Sequence, residues 1–114
     1  LVKSIAFSPD GRWLAGGGLS DGVVVWSVRD GGMVRKMVPD RSSPVNSLEF
    51  SRNGRWLFSG DAGGMVSVWD INKGSLTNFG FQHSGGINDL ALTTDGKTLV
   101  SASSDKTLVL WALN

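Results

Sequence analysis

The chain has 114 residues, 11 basic against 10 acidic side chains, a net charge of +1 and 40% hydrophobic residues. This is enough for one small soluble globular domain, and the scattered, balanced charge gives no electrostatic footprint for nucleic acid or an anionic membrane. The lack of Cys excludes disulfides, thiolate zinc sites and Cys nucleophiles together, and favours an intracellular setting, cytoplasmic or nuclear.

No run approaches the length of a membrane span, and no charged-then-apolar signal segment opens the chain. A start at Leu1 rather than Met suggests a trimmed chain. The first apolar positions, Val2, Ile5 and Phe7, are spaced three and then two, which is strand alternation interrupted by one extra residue, the signature of a β-bulge. Ser8-Pro9-Asp10-Gly11 then reads as a hairpin turn, because Asp-Gly accepts the positive φ that such turns need. A second strand, Trp13-Leu14-Ala15, runs into a Gly-rich turn over 16–22. The third, Val23–Trp26, is nearly continuous in apolar residues, as expected of a strand covered on both faces. After Arg29-Asp30-Gly31-Gly32 comes a weaker, more polar fourth run, Met33–Val38, with the character of an outer edge.

The same phrase then repeats. Val45, Leu48 and Phe50 lead into Arg52-Asn53-Gly54, Trp56–Ser59, a turn over 60–64, Val66–Trp69 and Leu76–Phe79. Ile87, Leu90 and Leu92 lead into Thr94-Asp95-Gly96, Thr98–Ser101, a turn over 102–106 and Leu108–Trp111, where the third copy stops without a fourth strand. The closing residues Trp26, Trp69 and Trp111 recur at intervals of 43 and 42 residues. A period of about forty with several strands per unit signals a modular β architecture whose units bury their faces against neighbours. The expected fold is all-β, with four-stranded antiparallel blades at 1–38 and 44–80 and an incomplete blade at 86–114. Such a piece cannot close a ring alone. Its completion is expected from further blades of a parent propeller or from another chain.

These residues resemble the WD-repeat (Trp-Asp repeat) β-propeller family across the whole chain. The third copy carries the likeness best, from Asp95-Gly96-Lys97 through Ser101-Ala102-Ser103-Ser104-Asp105 to Trp111, with His83 four residues before Ile87. The departures are uneven. Only Trp69-Asp70 keeps the eponymous dipeptide, Gln82 replaces the Gly before His83, Arg41 stands where the second copy would carry its His, and Ser20 and Gly63 hold the place of Asp105. The resemblance implies blades of four strands, a non-catalytic scaffold that binds other proteins, and a structural tetrad of His83, Ser101, Asp105 and Trp111. In the first two copies most of that network is expected to be lost.

Other patterns compete with this reading. His83, Ser101 and Asp105 together also suggest a catalytic base, nucleophile and orienting acid. Gly18-Leu19-Ser20-Asp21-Gly22 matches a nucleophile elbow, with Asp61 and His83 following in hydrolase order, but that elbow needs a strand–turn–helix context that a hairpin does not offer. Gly96-Lys97-Thr98 resembles the end of a P-loop, yet Ala91 replaces the first Gly and no helix follows. One His without Cys offers no metal site, and no cofactor is expected. Five Trp could stack on nucleobases, although three close repeats. A propeller that recognises a modified peptide or a nucleic acid is the alternative function. Trp13 and Trp56, each after an Arg, are candidates for partly exposed contact residues.

By the resemblance, partners bind at one end of the blades, on the loops leading into each unit and the turns between second and third strands. The candidate contact residues are Lys3, Pro44, Asn46 and Asn88 on the loops, and Leu19, Ala62, Ser104 and Lys106 on the turns.

Overall fold

The computed structural model describes residues 2–18, 22–37, 43–81 and 83–113, with the side chains of 78, 79 and 81 left aside. Eleven strands follow one another: β1 (Val2–Phe7), β2 (Trp13–Gly18), β3 (Val23–Ser27), β4 (Met33–Met37), β5 (Val45–Phe50), β6 (Trp56–Asp61), β7 (Met65–Asp70), β8 (Ser75–Phe81), β9 (Ile87–Leu92), β10 (Thr98–Ser103) and β11 (Leu108–Ala112). They form three antiparallel meanders, β1-β2-β3-β4, β5-β6-β7-β8 and β9-β10-β11. The described part of the third sheet therefore has three strands. Among the described residues no helix is long and apolar enough to cross a membrane.

Each innermost strand carries a register shift against its neighbour, between Val2 and Ser4, between Val45 and Ser47, and between Ile87 and Asp89. The extra residues are Lys3, Asn46 and Asn88, which explains the three-then-two spacing. The three first turns have one geometry, with Gly11, Gly54 and Gly96 at φ +74°, +72° and +73°.

The second strands run further than their apolar patterns, because Gly16, Gly17 and Gly60 still pair on both sides and Gly18 and Asp61 pair with the inner strand. Glycine here serves close approach between sheets. A Cβ on Gly17 would come within 2.8 Å of Val45, and one on Gly60 would collide with Ile87. Inner strands therefore seat on the backbone of the preceding blade.

Two cores lie between the sheets. The first joins Ala15, Val23, Val25 and Met37 to Val45, Leu48, Phe50, Leu57, Trp69 and Ile71. The second joins Phe58 and Val66 to Ile87, Leu90 and Leu99. Each fully buried Leu or Val contributes roughly 1.5–3 kcal/mol. The middle sheet is covered on both faces, so β7 is buried almost throughout. The expectation that every third strand is covered twice fails for β11, which alternates between exposed and half-buried because one face of its sheet has no described neighbour.

Candidate functional site

The four residues His83, Ser101, Asp105 and Trp111 come together at the side of the third sheet that faces the second. Ser101 lies mid-strand on β10, on the inward face with Leu99 and Ser103. Trp111 lies on β11 opposite Leu99. Asp105 is in the β10–β11 turn, and His83 is in the segment before β9. Trp111 Nε1 donates to Ser101 Oγ at 2.8 Å. Ser101 Oγ lies 2.8 Å from His83 Nε2, and His83 Nδ1 lies 3.1 Å from Asp105 Oδ2 and 3.0 Å from Thr107 Oγ1. One proton arrangement satisfies every group. The indole N–H donates to the serine oxygen, the serine O–H donates to Nε2, and Nδ1–H donates to the carboxylate. The chain is shielded, with Ser101 at 0% and His83 at 7% exposure.

Asp105 also gathers the Thr107 hydroxyl and the Thr107 and Ser84 amides. The Thr107 hydroxyl leads in pushing its carboxyl well below the ordinary carboxylate range. Partial burial opposes this, and the two amides and the His83 ring reinforce it. The Ser101 oxygen accepts from the indole and sits at 0% exposure, closed off from solvent in the described structure.

The second blade keeps more of this network than its sequence implied. Trp69 Nε1 donates to Ser59 Oγ at 2.9 Å, fully buried. The constant ten-residue spacing of Ser59 to Trp69 and of Ser101 to Trp111 is the signal that could have found this pair. Gly63, in the place of Asp105, bonds through its amide to Asp61 and Ser43. In the first blade Gly16 takes the serine position. A Cβ there would lie 2.9 Å from the Trp26 ring, so that ring lies against bare backbone. Arg41, Ser20 and Gln82 lie outside the described residues.

The contact candidates lie at one end of the sheets. Lys3 Nζ donates to Asn46 Oδ1 at 2.8 Å, and Asn46 Nδ2 donates to the Ile87 carbonyl at 2.9 Å, so bulge residues link one blade to the next. The Ala62 amide bonds to the Pro44 carbonyl, the Ser104 amide to the Gly86 carbonyl, and Ser104 Oγ to Asn88 Oδ1. Lys3, Ala62, Asn88, Ser104 and Lys106 are exposed, whereas Pro44 and Asn46 are half-buried. Lys106 holds φ +75° where the second blade has Gly64. Leu19 lies outside the described residues. On β5, the half-buried Glu49 has its carboxyl pushed up by burial and by the nearby Asp89.

Trp13 and Trp56 are half-buried against the two cores, each beneath a guanidinium, with Arg12 5.0 Å and Arg55 4.5 Å from the ring centres. Beside Trp56 opens a cleft of about 400 Å³ lined by Ser51, Arg52, Phe58, Val68 and Leu113, which sequence reasoning missed. At the seam between the first two blades, Met37 is buried and Arg35 donates to the Ile71 and Asn72 carbonyls. In the second blade Gly80 pairs with Val66 as Met37 pairs with Val23, and its missing side chain leaves room for the Trp111 ring.

A family model described as WD domain, G-beta repeat (WD40) matches residues 2–27, 33–70 and 74–112. The second and third matches begin on the outer strand of one sheet and end on the third strand of the next. The sequence repeat is thus offset by one strand from the folded sheet. Among solved structures the chain resembles one titled "Crystal structure of RRP9 WD40 repeats", at 22% identity and a TM-score of 0.92, covering 98% of this chain and 35% of that one. The chain thus spans about a third of that structure's length. As 1045 chains of known structure match, the likeness carries the fold alone. A search of curated proteins finds no match. With the family model matching nearly the whole chain, the protein belongs to the WD domain, G-beta repeat (WD40) family.

Proposed function

We propose that this chain is part of a non-catalytic propeller scaffold that presents the loop-and-turn end of its blades to partner proteins. One observation carries the reading. Lys3, Ala62, Asn88, Ser104 and Lys106 are exposed on a rim that the Ala62–Pro44, Ser104–Gly86 and Lys3–Asn46 hydrogen bonds hold in shape. A rigid rim with exposed side chains suits docking, because little ordering is needed on binding. Within this reading, His83, Ser101, Asp105 and Trp111 form a structural clip that ties the loop before β9 to the sheet. Asn46 acts chiefly between blades, which leaves Asn88 and Lys106 as the better contact residues.

The same reading assigns further blades, from the parent chain or another, to the two open faces. Val2, Ile5 and Phe7 are 58%, 61% and 59% exposed, whereas their repeat equivalents Val45, Leu48 and Phe50 are 4%, 5% and 3% exposed against the first blade. Leu108 and Leu110, 66% and 69% exposed, are likewise the counterparts of Val66 and Val68, which meet the third blade. An intracellular site, cytoplasmic or nuclear, accompanies this role.

The test is affinity capture from a cell extract with Asn88→Ala, Lys106→Ala and Ala62→Arg, each first shown to melt like the parent. Loss of a co-purifying protein in these variants, but not in Arg29→Ala on the opposite turns, supports the rim. An unchanged set of captured proteins in all three overturns it.

A further inference from the structure

We infer that Asn53 is a site of spontaneous deamidation, and that the fold is built to accept the product. Asn53-Gly54 is the one Asn-Gly pair in the chain. Gly54 has no side chain to obstruct its own nitrogen, and Asn53 is exposed to water at a turn tip.

The three copies of the turn show why the product is tolerated. In each, a hydroxyl donates to the side-chain oxygen two residues on: Ser8 to Asp10 at 2.7 Å, Ser51 to Asn53 at 2.6 Å, and Thr93 to Asp95 at 2.7 Å. That oxygen then accepts the amide of Arg12, Arg55 or Lys97 at 3.0, 3.0 and 2.9 Å. The amide oxygen of Asn53 thus does the work of the two carboxylates, and no described residue accepts a hydrogen bond from its Nδ2. The cage favours charge. The Arg12 amide, then the Ser8 hydroxyl, hold the Asp10 carboxyl below its ordinary range, and the Thr93 hydroxyl, then the Lys97 amide, do the same for Asp95.

In the reaction the Gly54 backbone nitrogen gives its proton to solvent base and attacks Cγ of Asn53. The new N–Cγ bond closes a succinimide and ammonia leaves. Water then opens the ring. Cleavage of the N–Cγ bond yields Asp on a normal backbone, and cleavage at the α-carbonyl yields isoaspartate, whose main chain is longer by one methylene. The normal product retains the cage. The isoaspartyl form breaks the paired contacts of Ser51 with Trp56, its amide to the Trp56 carbonyl at 2.9 Å and its hydroxyl from the Trp56 amide at 3.1 Å. The Gly54 amide itself donates to the Ser51 carbonyl at 3.0 Å, so the folded turn reacts more slowly than the unfolded chain. The outcome is a one-way gain of negative charge at the mouth of the cleft beside Trp56.

The experiment incubates the purified protein at mildly alkaline pH, folded and in denaturant, and follows the amide-to-acid mass increment by peptide mapping that separates Asp from isoaspartate. The increment is expected at Asn53 before any other Asn, with a lower isoaspartate share in the folded sample, and it disappears in Asn53→Gln. Asn53→Asp is expected to melt no lower than the parent. Conversion at Asn53 no faster than at Asn46, which a Lys3 contact and the Ile87 carbonyl hold in place, overturns the assignment. A lower melting temperature for Asn53→Asp overturns the claim that the fold accepts the product.

Discussion

Trp69 and Trp111 occupy the same place in consecutive blades and are held in different ways. Trp69 is 3% exposed, packed between two sheets, and among the described residues has a single polar partner in Ser59. Trp111 is half-buried on a sheet with one open face, and its indole heads a chain through Ser101 and His83 to Asp105. Where the tryptophan is fully buried, one hydroxyl satisfies its N–H. Where it stays half-buried, a longer polar chain adds a tether between loop and strand.

The largest expected effect is at the seam that both blades share. Gly60→Val drives a branched side chain into Ile87 and should cost about 3 kcal/mol or more, read as a lower midpoint in urea. A midpoint like the parent's would show that the inner strand can shift away and that the seam does not depend on bare backbone.

Ser101→Ala and Ser59→Ala test the comparison directly. Ser101→Ala strands both the indole N–H and the His83 ring, at about 2–3 kcal/mol, whereas Ser59→Ala strands one indole at about 1–2 kcal/mol. Equal losses would show that the His83 arm contributes nothing to the fold.

The tether also titrates. The folded state holds the Asp105 carboxyl ionised more firmly than the unfolded chain does. Its stabilisation is therefore complete above the ordinary Asp range and is lost as pH falls through that range towards the depressed folded value. Denaturation midpoints measured across acidic pH should fall less steeply for Asp105→Asn than for the parent. Parallel curves would remove Asp105 from the tether. The smallest effect is expected at the other seam, where Arg35→Ala loses two bonds to carbonyls on a partly exposed side chain, about 1 kcal/mol. Thermal melting would detect it.

Much of this was legible in the sequence because it is periodic. Repeated apolar positions gave the strands, and the single three-residue step gave the bulges, since an extra residue must displace alternation wherever it falls. His83, Ser101, Asp105 and Trp111 were legible through the resemblance. The Ser59–Trp69 pair escaped because its serine stands without the His and Asp that would mark it. The cleft beside Trp56 escaped because Phe58 and Val68 meet Leu113 there across two sheets, and residues so far apart in the chain leave no local pattern.

By itself the sequence determined the order of strands, the turn chemistry and the membership of one repeat family. These depend on local φ preferences and on alternation, which nearby residues control. Only the tertiary structure decided which faces are covered. Val2 and Val45, or Val66 and Leu108, hold matching places in the repeat, yet one of each pair is buried and the other exposed. Burial depends on the neighbouring sheet, and no residue carries that information in its own segment.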